Sequence, residues 1–377
     1  FQFSLQPLTD AAITIYFGDT SPDVSGHPGS RTTSYILTGN KVALADFSGS
    51  VTTDHWFVIN TIEVLAPDSA NAVAILGNSI TDGRGSGTNR QNRWPDELSR
   101  RFQANPETQQ VAVLNEGIGG NAVLHGGLGP TALSRLQRDV LNQNGVKWLI
   151  IFEGINDIGG SFGIGVGNNL INAFKQMIES AHAKGIHVYG ATLLPMKGSF
   201  YYSVSHEAER QIVNNWIRNG GLFDAVIDLD KAMRNPADTL SLIPSGDSGD
   251  HLHPSEAGHH MMAEAVDLTL FIGKINTSVG EKAGDIPDKI SLLQNYPNPF
   301  NPSTTITYQI PILNARSYAE VHVSLKLYDI LGREIAALVN EEKAPGHYEV
   351  LFNGSRLTSG VYFYTIEAGN FIQTNKM

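Results

Sequence analysis

Cysteine is absent from the 377 residues. That excludes a disulfide scaffold, a thiol nucleophile and any cysteine-ligated zinc or iron–sulfur site. It leaves the compartment open, because a large core needs no covalent staples. No apolar run approaches the ~20 residues of a membrane-spanning helix, so no transmembrane segment is expected. Positive charge is scarce, with 26 Lys and Arg against 37 Asp and Glu and a formal net charge of −11. That balance argues against a nucleic-acid partner, which needs a basic face. Hydrophobic residues make up 41% and charged residues 17%, the composition of a folded chain. At about 150 residues per domain, the length corresponds to two or three domains.

Residues 1 to 68 read as β-rich. Phe1, Phe3 and Leu5 alternate with polar neighbours, as in a strand already under way. We read this start as a processed or truncated end inside a β domain. Ala12–Phe17, Thr33–Leu37 and Trp56–Asn60 are rich in β-branched and aromatic residues and are separated by turn formers such as His27-Pro28-Gly29. From residue 72 the pattern changes. Continuous apolar runs at Ala72–Leu76, Val111–Leu114, Val146–Phe152, Val188–Leu194 and Ala225–Leu229 alternate with segments of helical period, such as Phe174/Met177/Ile178/Ala181. Strands buried on both faces and separated by amphipathic helices predict a parallel sheet wrapped by helices. Functional groups then sit at the carboxyl ends of the strands. Residues 273–289 read as a linker, and from residue 290 strands with regular turn signals suggest a small β-sandwich.

Four short blocks follow the strands of the middle segment. The first is Gly77-Asn78-Ser79-Ile80-Thr81-Asp82-Gly83, where a serine between strand and loop can present its hydroxyl and its own N–H. An ordinary turn with a cap would use the same residues. The second is Asn115-Glu116-Gly117-Ile118-Gly119-Gly120-Asn121 and the third Glu153-Gly154-Ile155-Asn156-Asp157. Glycine amides, an asparagine amide and the Ser79 N–H can serve as donors to an oxyanion. The fourth is Asp250-His251-Leu252-His253-Pro254, an imidazole base with a carboxylate three residues earlier. Its competing readings are an N-cap at Ser255 with a loop histidine, or a metal site using Asp250, His251, His253, His259 and His260. Adjacent His259 and His260 point to different faces of a helix, against the metal reading. Arg84 and Arg90 beside the first block read as contacts to an acidic sugar or as solvated surface. The glycine-rich stretch 159–167 reads as a substrate loop or a plain connector.

These four blocks, in this order over residues 72–272, resemble those of the GDSL/SGNH hydrolase family. The resemblance implies a flavodoxin-like three-layer α/β/α domain with a parallel sheet. It implies Ser79 as nucleophile, His253 as base, Asp250 as its partner, and an oxyanion hole from the Ser79 and Gly120 amides and the Asn156 side chain. No cofactor or metal is implied. Asn78 stands where the family commonly has Asp. Residues 1–68 resemble the latter half of a β-rich, jelly-roll-like domain of secreted bacterial esterases. The segment Asn295-Tyr296-Pro297-Asn298-Pro299-Phe300-Asn301-Pro302-Ser303-Thr304 resembles the opening of type IX secretion sorting domains of type A, with Leu327–Arg333 and Ser359–Phe363 fitting the same pattern.

The expected organisation is a partial β-sandwich domain at 1–68, a catalytic domain at 69–272, a linker at 273–289 and a β-sandwich sorting domain at 290–377. The expected function is a secreted or surface-anchored serine carboxylic ester hydrolase of a Bacteroidetes-like bacterium. It would deacetylate plant cell-wall polysaccharide in the manner of an acetylxylan esterase. The alternatives are a general short-chain esterase or lipase, or an inactive surface carbohydrate-binding protein. Expected partners are an acylated small-molecule or polysaccharide substrate and the type IX secretion machinery.

Overall fold

The apolar runs of the middle segment become five parallel strands in the computed structural model, which describes residues 6–19, 22–67, 69–161, 165–272, 290–295, 298, 300, 302–311, 321–343, 346–354, 357–358, 360–369 and 371–377. The strands are β1 (Asn71–Gly77), β2 (Val111–Gly117), β3 (Val146–Phe152), β4 (His187–Ala191) and β5 (Ala225–Ile227), in the order β2-β1-β3-β4-β5. This is the flavodoxin-like doubly wound order, whose direction of winding reverses between β1 and β3. Alternate residues of one strand feed two different cores. On β3, Leu149 and Ile151 pack with Val188, Phe174 and Met177 on one face. Trp148, Ile150 and Phe152 pack with Trp94, Leu98 and Met262 on the other. A strand buried on both sides has no polar face, which is why it reads as an unbroken apolar run. Each such side chain contributes about 1.5–3 kcal/mol by burial.

The helices follow from the same logic. Val166–His182 buries Leu170, Phe174, Met177, Ile178 and Ala181, a stripe at three- and four-residue spacing. Trp94–Ala104 starts with a proline in its first turn and buries Leu98 and Phe102. Glu256–Glu264 is capped by the Ser255 side chain, which accepts from the Gly258 N–H. Gly77 at the end of β1 is level with Gly117 of β2 and Phe152 of β3. The loops after these three strands therefore leave the sheet at one height.

The chain divides into two units, Phe1–Gly273 and Lys274–Met377. In the first, two short antiparallel ladders precede the α/β sheet: Gly26–His27 with Trp56–Phe57, and Ser34–Ile36 with Val51–Thr53. The expected strand at Ala12–Phe17 is not one. Among the described residues nothing pairs with it, and Ile13, Ile15, Tyr16 and Phe17 are exposed. Phe1, Phe3 and Leu5, the linker at 273–289 and residues 162–164 of the glycine-rich stretch lie outside the described residues. The second unit holds a three-stranded and a four-stranded antiparallel sheet. In its strand Ser303–Ile310 every second residue is buried, Ile306, Tyr308 and Ile310 among them. They pack with Leu325, Leu327, Tyr364 and Ile366 in one core.

Candidate active site

Ser79 opens a four-residue helix directly after β1. Asn78 caps it, its Oδ1 accepting from the Ile80 N–H at 3.2 Å, and Gly83 closes it in the left-handed conformation. The turn lifts the Ser79 side chain to the carboxyl edge of the sheet, at the switch point. His253 and Asp250 arrive from the loop before the last α-helix. Ser79 Oγ lies 2.9 Å from His253 Nε2. On the other side of the ring, His253 Nδ1 lies 2.7 Å from Asp250 Oδ2. With Nδ1–H donating to the carboxylate, Nε2 is left as the acceptor for the serine hydroxyl.

The carboxylate is held by more than the ring. Asp250 Oδ1 accepts from the backbone N–H of His253 at 2.8 Å and of Leu252 at 3.0 Å, and from Ser248 Oγ at 3.2 Å. Burial alone would raise its pKa, but these bonds and the imidazole hold it down at about 2. Burial lowers His253, Asp250 pulls it back up, and the charges of Arg84 and Arg31 push it down again. A close approach fixes this loop against the serine side. Gly85 lies so near the Pro254 carbonyl that a Cβ there would come within 1.9 Å of the oxygen, and its φ of +94° is one that side chains avoid.

The second and third blocks meet beside the serine. Gly119 N–H donates to Asp82 Oδ2 at 3.1 Å, tying the Gly119-Gly120-Asn121 turn to the serine's own helix. Gly120 has φ +71°, and among the described residues neither its N–H nor that of Ser79 has a hydrogen-bond acceptor. Asn156 Nδ2 donates to the Asn121 carbonyl at 2.7 Å. One of its two N–H bonds is thus used for positioning, and the other remains for a ligand. Tyr201 Oη donates to Asn156 Oδ1 at 2.9 Å, which fixes the orientation of the amide. Asp157 accepts from the Val123 and Leu124 N–H groups, both at 2.9 Å, and so clamps the chain that follows Asn121.

Below this layer runs a polar network that the blocks did not announce. Asn78 Nδ2 donates to Glu153 Oε2 at 3.2 Å. Arg135 reaches Asn121 Oδ1 at 3.0 Å, the Gly77 carbonyl at 3.1 Å and Asp139 at 3.1 Å, with Glu153 Oε1 at 3.7 Å. Both Arg135 and Glu153 side chains are 0% exposed. Burial pushes Glu153 up to about 8, against the pull of Arg135 and the Asn78 amide. The amide at position 78 thus supplies Glu153 with a hydrogen-bond donor that an ionised carboxylate there would lack. Arg135, Glu153, Asn121 as an acceptor, and Tyr201 were missed from sequence. Asn121 closes the second block and Glu153 opens the third, but nothing in either block marked these roles.

The remaining histidines separate. His259 is fully buried, accepting from Trp94 N–H at 3.2 Å and facing the Arg84 carbonyl at 3.1 Å, and burial brings it to about 4. His260 lies 3.3 Å from Glu97. His251 pairs with Asp247 at 2.6 Å in a second Asp–His pair beside the first, with φ +61°. Among the described residues no three His, Asp or Glu side chains are grouped to hold a metal. An open cavity of about 520 Å³ adjoins His251, and its lining includes Lys197, Asn235, Asp238 and Ser241 together with Leu242 and Pro244.

The family model described as GDSL-like Lipase/Acylhydrolase family matches residues 75–261, and that of the secretion system C-terminal sorting domain matches residues 294–377. Among solved structures, a catalytic mutant of an acetylxylan esterase from Geobacillus stearothermophilus is 20% identical, covering 54% of this chain and 95% of its own, with a TM-score of 0.41. A GDSL-like lipase from Bacteroides thetaiotaomicron is 20% identical, covering 54% of this chain and 88% of its own, with a TM-score of 0.39. No curated protein sequence matches the chain. No helix among the described residues is long and apolar enough to cross a membrane. Residues 75–261 form a GDSL-like lipase/acylhydrolase domain, which makes the chain a carboxylic ester hydrolase, and the sorting domain at residues 294–377 marks it for type IX secretion to the cell surface or beyond.

Proposed function

We propose that the protein removes acetyl groups from plant cell-wall polysaccharide through a Ser-His-Asp mechanism. The observation that carries the mechanism is the Ser79–His253–Asp250 relay, with contacts of 2.9 and 2.7 Å. His253 Nε2 takes the Ser79 hydroxyl proton as Oγ attacks the ester carbonyl. The Ser79 and Gly120 N–H groups and the free N–H of Asn156 hold the resulting oxyanion. The intermediate collapses, His253 gives its proton to the departing sugar oxygen, and acetyl stays on Ser79. A water then gives its proton to His253 and attacks the acyl carbon. Acetate leaves and the proton returns to Ser79 Oγ. Asp250 keeps the imidazole in the required tautomer and stabilises its cationic form.

Two features support a polysaccharide substrate. The sorting domain sends the enzyme out of the cell, where such polymers are found. The cavity beside His251 presents hydroxyl-binding side chains, Lys197, Asn235, Asp238 and Ser241, alongside apolar surface. We place the catalytic domain at residues 69–272, the linker at 273–289, the sorting domain at 290–377, and an accessory β segment at 1–68. The test is acetate release from acetylated xylan and hydrolysis of p-nitrophenyl acetate, with a serine-reactive organophosphate as label. The parent protein should be active and labelled at Ser79. Ser79→Ala should fold and lose about 10⁴-fold or more in turnover. A Ser79→Ala variant with parental turnover overturns the mechanism, and activity on long-chain esters alone overturns the substrate.

A further inference from the structure

The arginines of the first unit are not all alike. Eleven fall in residues 1–273, and nine of them lie within 4.0 Å of a carboxylate oxygen. The two that do not, among the described residues, are Arg31 and Arg84. In a chain of net charge −11, acidic groups are abundant and a guanidinium without one is the exception. Both exceptions flank the same place. Arg84 N–H donates to the Ser79 carbonyl at 2.8 Å, and its neighbour Gly85 abuts the Pro254 carbonyl, next to His253. The Arg84 backbone is therefore joined to the nucleophile's residue and, through Gly85, abuts the loop that carries His253, with the Arg84 side chain exposed.

Arg31 comes from the N-terminal segment, which is fastened to the serine's helix. His27 Nε2 lies 2.5 Å from Asp82 Oδ1, the Ser30 carbonyl accepts from the Arg93 guanidinium, and the Arg31 carbonyl accepts from the Asn89 N–H at 2.9 Å. Arg31 itself is held at φ +49°, a strained value for a side-chain-bearing residue. Its Nε is buried without a hydrogen-bond partner among the described residues. The carboxylates nearest in the field of Arg31 are otherwise engaged. Asp82 accepts from His27 and Gly119, and Asp54 accepts from the Thr33 and Thr88 hydroxyls at 3.4 and 3.3 Å. Burial and the like charge of Arg84 both lower the pKa of Arg31, a penalty that an incoming anion relieves. Arg84 and Arg31 are also the cations whose fields reach the His253 ring. Arg90, the other arginine beside the nucleophile block, is different, because it is paired with Glu256 at 2.8 Å.

We propose that Arg31 and Arg84 form an anion subsite beside Ser79, which takes a carboxylate of the substrate, so that the ester is carried on an acidic sugar chain containing uronic acid. Guanidinium forks match carboxylates in a planar, two-bonded geometry, and the bonds are charge-assisted. The proposal rests on the esterase reading above and narrows its substrate. The N-terminal segment would thereby supply a specificity-determining residue to the active site of the α/β domain.

The experiment measures kcat/KM on acetylated galacturonate oligosaccharides and on acetylated xylo-oligosaccharides of equal length. The parent should prefer the acidic series by about tenfold or more. The preference should shrink as salt rises from about 20 mM to about 500 mM, because exposed charges are screened. Arg84→Gln, an exposed change, and Arg31→Gln should each reduce the ratio of the two kcat/KM values, and the double variant should abolish the preference. Arg84→Lys should retain part of it, and Arg90→Gln should leave the ratio where it was. An acidic preference that Arg84→Gln and Arg31→Gln do not change overturns the subsite, as does equal hydrolysis of both series by the parent. In those cases acetate release still stands and only the subsite fails. If the parent releases no acetate from either series and Ser79 takes no organophosphate, the esterase reading fails as well.

Discussion

Tyr201 donates its hydroxyl hydrogen to Asn156 Oδ1 at 2.9 Å, while Asn156 Nδ2 donates to the Asn121 carbonyl at 2.7 Å, so the amide is held from both ends. A donor fixed in this way is set before the oxyanion forms and costs no reorganisation at the moment of reaction. Asn156→Ala should lower kcat on p-nitrophenyl acetate by about 10²–10³-fold. Tyr201→Phe removes only the orienting bond, and we expect a fall of about tenfold in kcat with little change in KM. Steady-state kinetics decides it: a Tyr201→Phe enzyme with unchanged kcat would show that the phenol does not position Asn156.

The pH profile follows from the environment of His253. The base works as the neutral imidazole, so activity falls as pH drops through its pKa. Burial lowers that pKa, and Arg84 and Arg31 add to the shift. The acid limb of kcat/KM should therefore lie below about pH 6.5. Arg84→Gln removes a repelling charge, raises the imidazole pKa and should move the limb to higher pH. A limb that stays in place or moves down would contradict the electrostatic role given to Arg84.

Glu153 predicts how stability varies with pH. Its folded-state value of about 8 lies above the ordinary 4.5. Between these values the native state holds a proton that the unfolded chain has lost. The stabilisation is therefore complete below the unfolded value and is lost as pH rises through the folded one. Glu153→Gln has no proton to lose. Its melting temperature relative to the parent should climb from about pH 5 and level off above about pH 8. Parallel melting curves for the two proteins across that range would refute the assignment.

Arg135 ties Asn121, Gly77, Asp139 and Glu153 together under the serine. Arg135→Met leaves buried acceptors and a buried acid without their cation. The expected cost is about 3–5 kcal/mol in urea unfolding, because one partner of a buried network has been removed. Loss below about 1 kcal/mol, the range of a surface ion pair, would mean that the network carries no structural weight.

How far the site was legible in sequence depended on whether its chemistry was local. Asp250 and His253 are three residues apart, and Ser79 is framed by a strand end and two glycines, so short-range pattern was enough to single them out. Ser79 meets the second and third blocks because β1, β2 and β3 end at one height, whereas Asp250 and His253 come in from the loop before the last α-helix. Arg135, Glu153 and Tyr201 carry no such mark. Each is an ordinary residue in its own segment and acquires its role from a contact tens of residues away. The N-terminal segment misled in the opposite sense. Ala12–Phe17 has strand composition, but a strand also needs a partner for its backbone, and among the described residues nothing pairs with it.

The serine and the imidazole that meet at 2.9 Å are 174 residues apart in the chain. A ribosome must therefore deliver nearly the whole α/β domain before any chemistry can begin. On the proposed mechanism, a chain cut anywhere between the two, or one whose last helix fails to dock, would be inert. On that mechanism, catalysis would be a direct gauge of completed folding of the α/β domain, and unfinished chains would hydrolyse no ester.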